Sequence, residues 1–369
     1  MQKFLSPLWT RRQVMEALGL GAAAAAIPSA ANAQAPEFPK GAIIRTLLKD
    51  YAPEELAGGA TLFHEHLQLG RDFNAKFGAA AAAVRAANGL PPAPPRGGGG
   101  RGAAKGAPPP DINHNVDLMS EEIVKTKNAG VACMVDAGHP DMGRDIDFIR
   151  QVSMKSGMPI VAGGGFYSQP FYPKEISTMS EEQILKALIK QVDDNTMGVF
   201  GEIGSWDEIT ADERKVFRAV GKAHVATNLS IFTHTGIPGK SALEQLDILE
   251  DAGVKPDRVV IGHLGNLVDS NVYVHKTVCR RGAFVGFDRQ GVNDTQQVPM
   301  VMSLIEAGFA DHLMFSADAS SGYAKTLTVF VPKLKAAGAS DEVLHKIMVD
   351  NPRRFLAFVP KRPRKKQSA

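Results

Sequence analysis

Short apolar runs alternate with stretches of helical periodicity along nearly the whole chain, and that alternation predicts an α/β fold. The candidate strands are 61–67, 133–138, 159–167, 199–204, 229–235, 258–264, 283–288 and 312–318. Several are continuously apolar, Val259-Val260-Ile261 and Ile160-Val161-Ala162 among them, as strands covered on both faces must be. Between them, 180–195, 210–227 and 240–252 carry apolar residues at helical spacing behind polar starts. Eight such units in one domain predict a closed (β/α)8 TIM barrel. An open doubly wound sheet would instead place a glycine-rich phosphate loop after its first strand, whereas Gly163-Gly164-Gly165 follows the third.

Three segments break the pattern. Residues 79–110 are rich in Ala, Gly and Pro and form a low-complexity insertion between the first strand and its helix. This insertion is predicted to be flexible, over the face where barrels build their active sites. Residues 1–33 combine Arg11-Arg12, an apolar run over 17–27 and the small-x-small site Ala31-Asn32-Ala33. They read as a twin-arginine-type signal peptide, too short to span a bilayer, and imply a periplasmic protein with no membrane attachment after removal. The tail 361–369 is basic, which leaves 34–360 for the barrel.

Composition narrows the chemistry. The chain has 369 residues, 44% hydrophobic and 22% charged, enough for a large core. Net charge is only +3 and the basic excess sits in the tail, so no nucleic-acid footprint is written on the body. With two cysteines, Cys133 and Cys279, neither a disulfide framework nor a thiolate metal cluster is available. Any metal must be held by imidazole and carboxylate.

Such groups gather at the carboxyl ends of the predicted strands. His64 and His66 lie two residues apart, which directs both imidazoles to one face of the first strand. Glu202 is at the end of the fourth, His234 of the fifth, His263 of the sixth and Asp318 of the eighth. Each polar group is costly to bury alone at the end of an apolar strand, and together they make six metal-competent side chains on one rim. Glu65 points away from the site and is read as structural. His224, His275 and His345 fall in helical patterns, while His139 follows the second strand and is a weaker candidate for the pocket lining.

With these residues in view, the chain from about 59 to about 360 resembles the phosphotriesterase family of the amidohydrolase superfamily. The segments Gly143-Arg144-Asp145, Gly164-Gly165-Phe166-Tyr167, Leu243-Glu244-Gln245-Leu246-Asp247-Ile248-Leu249, Gly286-Phe287-Asp288-Arg289 and Asn351-Pro352 extend the likeness. The resemblance implies that His64, His66 and Asp318 hold a buried ion and that His234 and His263 hold a more exposed one. It also implies a bridging residue at the end of strand four. Many members use a carboxylated lysine there; Glu202 resembles a branch with glutamate, and phosphotriester specificity is not carried over with it.

The resemblance thus implies a binuclear hydrolase with two divalent ions, zinc by default with manganese, cobalt or iron open. A bridging hydroxide would cleave an ester-type bond in a lactone, carboxylic ester or phosphotriester. Asp318 is the expected catalytic residue, orienting the nucleophile and taking its proton. Tyr167 and Arg289 match positions that contact substrate in lactonase-like members; Arg289 has the alternative of pairing with Asp288 or another carboxylate. The rival readings are an amide hydrolase acting on N-acyl amino compounds and a non-catalytic periplasmic metal- or solute-binding barrel. The partner is a small-molecule substrate, and the family likeness implies a homodimer.

Overall fold

The computed structural model describes residues 35–92, 111–236, 239–267, 269 and 271–362. The expected signal segment, residues 93–110 of the insertion and 363–369 of the tail lie outside them. An antiparallel hairpin, β1 (Ile44–Arg45) and β2 (Asp50–Tyr51), precedes eight parallel strands. These are β3 (Ala60–Glu65), β4 (Val131–Asp136), β5 (Ile160–Ala162), β6 (Phe200–Ser205), β7 (Ile231–Thr235), β8 (Val259–Ile261), β9 (Phe284–Phe287) and β10 (Leu313–Phe315). All eight predicted strands are present, in order. The hairpin was not predicted, because two-residue strands carry no periodicity.

The ladders run β3-β4-β5 and β6-β7-β8-β9-β10, and two seams close them into the (β/α)8 barrel. At the first seam Gly198 N donates to Ala162 O (3.0 Å) and Gly201 N to Gly164 O (2.9 Å). Glycine is required for this approach: a Cβ on Gly163 would stand 2.3 Å from Gly201 O and 2.7 Å from Asp136 O. At the second seam Asp318 N donates to His64 O (3.2 Å) and His66 N to Ala319 O (3.0 Å), while the Ser316 hydroxyl accepts His64 N–H at 2.9 Å.

Two apolar layers hold the cylinder. Phe63, Val135, Val161, Val199, Phe232, Val260, Phe284 and Met314 fill its interior. Their neighbours Leu62, Met134, Ile160, Phe200, Ile231, Val259, Val285 and Leu313 face the helices. Alternation along each strand sorts the two sets. The hairpin and the C-terminal segment plug the end where the strands begin: Leu47 N donates to Ile160 O, and Arg258 reaches Arg354 O. The predicted helices run Glu181–Asn195, Ala211–Thr227 and Ala242–Asp251. Ser180 and Thr210 cap the first two in reciprocal boxes with Gln183 and Glu213.

The expected flexible insertion begins later than its composition suggests. A helix spans Phe73–Ala87, so 79–87 are ordered by alanine's helix propensity and by two aromatic anchors at its start, Phe73 and Phe77. Among the described residues no helix is long and apolar enough to cross a membrane.

Gly163→Ala is expected to lower unfolding free energy by about 1–3 kcal/mol, since backbone atoms on two sides must yield to the new methyl. Urea denaturation of the variant against the parent measures this.

Candidate metal centre

The chemistry-bearing residues reach the rim by different local devices. His234 follows from plain alternation, two residues after the inward-facing Phe232 on β7. On β3, Phe63 faces inward, so strict alternation would send His64 outward. A register shift against β4 between Leu62 and Glu65 re-aims this end of the strand. A second shift, between Phe200 and Ile203 against β7, does the same where β6 delivers Glu202. Such irregularities commonly turn a side chain toward a site. His263 and Asp318 lie just past their strands at φ 61° and 45°, and Arg289 at φ 61°. Left-handed backbone at three non-glycine residues of one rim is uncommon, and such outliers cluster at functional sites.

Glu202 is the hub. Its Oε1 lies 2.5 Å from His234 Nδ1, 2.8 Å from His263 Nε2 and 3.4 Å from His64 Nε2, and its Oε2 lies 3.5 Å from His66 Nε2. Asp318 Oδ1 is 3.2 Å from His66 Nε2 and 3.7 Å from His64 Nε2. All the imidazoles and Glu202 are buried. Among the described residues three sets have the spacing to hold a cation: His64, His66 and Glu202; Glu202, His234 and His263; and His64, His263 and Asp288. Asp318 falls outside these sets but borders the first.

The donor set fits divalent ions. Both ring nitrogens of His64, Nδ1 of His66 and Oε2 of Glu202 are buried with no hydrogen-bond partner, an expensive state for a polar atom unless a ligand completes it. Imidazole and carboxylate are the donors that zinc and its neighbours accept. Electrostatics point the same way. Burial works against Glu202's charge, yet His64 and His234 hold its carboxyl well below the usual range. Burial likewise opposes a charged His64, but Glu202, then Asp318 and Asp288, push it up to about 9; His234, buried and beside His263, falls to about 4.

The two expected substrate contacts are already engaged in the rim. Tyr167 is buried with its hydroxyl 3.1 Å from His234 Nδ1. Arg289 Nε donates to Asp318 Oδ2 at 2.7 Å, and its NH2 group lies 3.3 Å from His263 Nε2. The guanidinium therefore pairs with Asp318 rather than with Asp288. Glu65 turns away from the centre, bonded to Ser316, Ala317 and Ala319. His139 is buried near Asp141, at 3.7 Å, and belongs to none of the three sets.

Asp288 was missed. Its Oδ1 is 2.8 Å from His263 Nδ1 and its Oδ2 accepts His263 N–H at 3.1 Å, which fixes the ring with Nε2 toward Glu202. It too is a carboxylate at the end of an apolar strand, the signal used for its neighbours. Aromatic rings wall one side: Phe77 packs on Trp206 and His234, with centroids 5.3 and 6.1 Å apart, and Phe73 on Tyr167 and Phe171 at 6.0 and 5.0 Å.

The phosphotriesterase family model matches residues 52–356. An N-acetyltaurine hydrolase of Dictyostelium discoideum is 28% identical over 282 residues, covering 67% of this chain and 76% of its own length. An aryldialkylphosphatase of Saccharolobus solfataricus is 30% identical over 265 residues, 64% of this chain and 84% of that protein. The crystal structure of a phosphotriesterase homology protein from Escherichia coli, complexed with phosphate in its active site, aligns with TM-score 0.68 at 25% identity. That alignment covers 81% of this chain and 99% of the other.

Asp288→Asn is expected to weaken metal binding about 10–100-fold, because an amide can face His263 Nδ1 with the wrong group; calorimetric Zn2+ titration reads it. Burial pushes the Asp141 carboxyl from 3.8 up to about 7, although it accepts Tyr167 N–H at 2.9 Å. The folded state thus holds this proton longer than the unfolded chain, and the group's contribution to stability is lost as pH rises through about 7. Asp141→Asn should therefore gain stability relative to the parent between pH 4 and 7, followed by denaturant midpoints across that range.

Proposed function

The chain belongs to the phosphotriesterase family, and on that premise we propose that it hydrolyses an ester-type bond in a lactone, carboxylic ester or phosphotriester. Two divalent ions, zinc first among them, would be held by His64, His66, Glu202, His234, His263 and Asp318. The observation that carries this reading is the buried Glu202 carboxylate, with one oxygen toward His234 and His263 and the other toward His66. One carboxylate between two groups of imidazoles is the arrangement a binuclear site needs.

Bound there, such ions would supply Lewis acidity, which lowers the pKa of a nucleophilic water and polarises a substrate oxygen. The protein's own residues supply the rest. Asp318 would accept the proton of the attacking water; burial opposes its charge, while Arg289 holds its carboxyl well below the ordinary range. It is thereby kept ionised and fixed in direction. Tyr167, whose hydroxyl lies beside His234, would meet the scissile carbonyl or phosphoryl oxygen. The aromatic wall of Phe73, Phe77, Phe171 and Trp206 excludes water from that side.

A second reading, hydrolysis of the amide in N-acyl amino compounds, is supported by the likeness to N-acetyltaurine hydrolase over 67% of the chain. Water activated at the same donor set would attack either carbonyl, so the choice rests on the substrate's leaving group and tail.

Assays on lactone, aryl ester, phosphotriester and N-acyl amino acid panels separate the two. Asp318→Asn is expected to lower kcat about 10²–10⁴-fold on whichever class is turned over. Turnover of the N-acyl panel alone would replace the first reading with the second; turnover that survives Asp318→Asn would sink the assigned role of this residue.

A further inference from the structure

Glu65 is the member of His64-Glu65-His66 that the metal reading leaves without a task. It is fully buried, and its carboxylate reaches across the seam between β3 and β10 rather than into the centre. Oε1 accepts the main-chain N–H of Ala317 at 2.7 Å and Oε2 that of Ala319 at 3.1 Å, so the two oxygens grip the backbone on both sides of Asp318. The Ser316 hydroxyl lies 2.8 Å from Oε1 and equally 2.8 Å from His64 O, tying the same turn to the preceding residue of β3. Between these anchors Asp318 sits at φ 45°, a left-handed conformation uncommon for L residues, which the flanking hydrogen bonds help to hold.

We propose that Glu65 is a positioning residue. Its carboxylate holds the turn 317–319 so that Asp318 Oδ1 stands 3.2 Å from His66 Nε2, and it thereby sets the geometry of the metal centre without touching an ion. This rests on the metal centre proposed above. The side-chain chemistry required is specific. Two outward main-chain N–H groups need two acceptor oxygens, and glutamine offers one, so either orientation of its amide sets N–H against N–H at Ala317 or Ala319. Aspartate keeps both oxygens but falls a methylene short. A strand places its middle residue opposite to its neighbours, and the same spacing that brings two imidazoles to the centre brings this carboxylate to the turn behind it.

The test uses the metal-free mature protein as wild type, Glu65→Gln, Asp318→Asn and the double variant. Each is titrated with Co2+ and followed by visible absorption, with thermal melting measured alongside. Glu65→Gln is expected to bind Co2+ about 10–100-fold more weakly, with an altered spectrum. The double variant should bind no more weakly than Asp318→Asn alone, because Glu65 acts through Asp318. If Glu65→Gln does not fold, Glu65→Asp is judged by the same criteria. Wild-type affinity and spectrum in a variant that merely melts earlier would overturn the proposal, as would losses that add in full in the double variant. A wild type that binds no Co2+ would remove the metal centre itself, and this inference with it.

Discussion

A carboxylate sealed away from water among imidazoles is the constraint on which the rest of this molecule turns. Glu202 is fully buried, and its desolvation must be offset by positive charge held within a few ångströms. His64, whose burial opposes its charge but whose pKa that carboxylate helps push up to about 9, supplies part of that, and the unpartnered nitrogens of His64 and His66 lie where the proposed ions would supply the remainder. Arg289 and Asp288 balance the outer edge, one charging Asp318 and the other orienting His263. Each of these residues lies at a strand end because a barrel rim is where eight backbones converge and then release their side chains.

Closure of the cylinder and assembly of the site are the same event. The seam between β3 and β10 is made by His64, His66, Ser316, Asp318 and Ala319, three of which are proposed ligands. The seam between β5 and β6 brings Gly201 against Gly164, one residue before Glu202. A barrel that failed to close would leave these donors scattered on two separate sheets. Folding energy from the apolar interior is thus converted into positional accuracy at the rim, and the left-handed residues there are tolerated because the seams fix them from both sides.

Much of this was legible in the sequence, and the exceptions have physical causes. Short apolar runs, some of only two or three residues such as Leu62-Phe63 and Val259-Val260-Ile261, marked all eight barrel strands, since burial on both faces leaves little else to read. Alternation puts the paired histidines on one face, and the structure brings them together through a register shift, which no periodicity announces. Asp288 escaped notice because its role is exerted through His263 and the strand end was read for direct ligands. The alanine-rich start of the insertion was read as flexible from composition alone. Alanine is also the best helix former, and Phe73 and Phe77 gave the segment a surface to dock on.

That docked helix has a consequence for how such a protein changes over time. It enters from one loop, touches the barrel mainly through two phenylalanine rings, and at its far end leans on an exposed Asn88–Lys240 hydrogen bond of 2.7 Å. None of the groups around Glu202 belongs to it. Substitutions in the helix can therefore reshape the aromatic wall beside Tyr167 and His234 while every donor around Glu202 keeps its own strand, so the wall and the donor set are free to change at different rates.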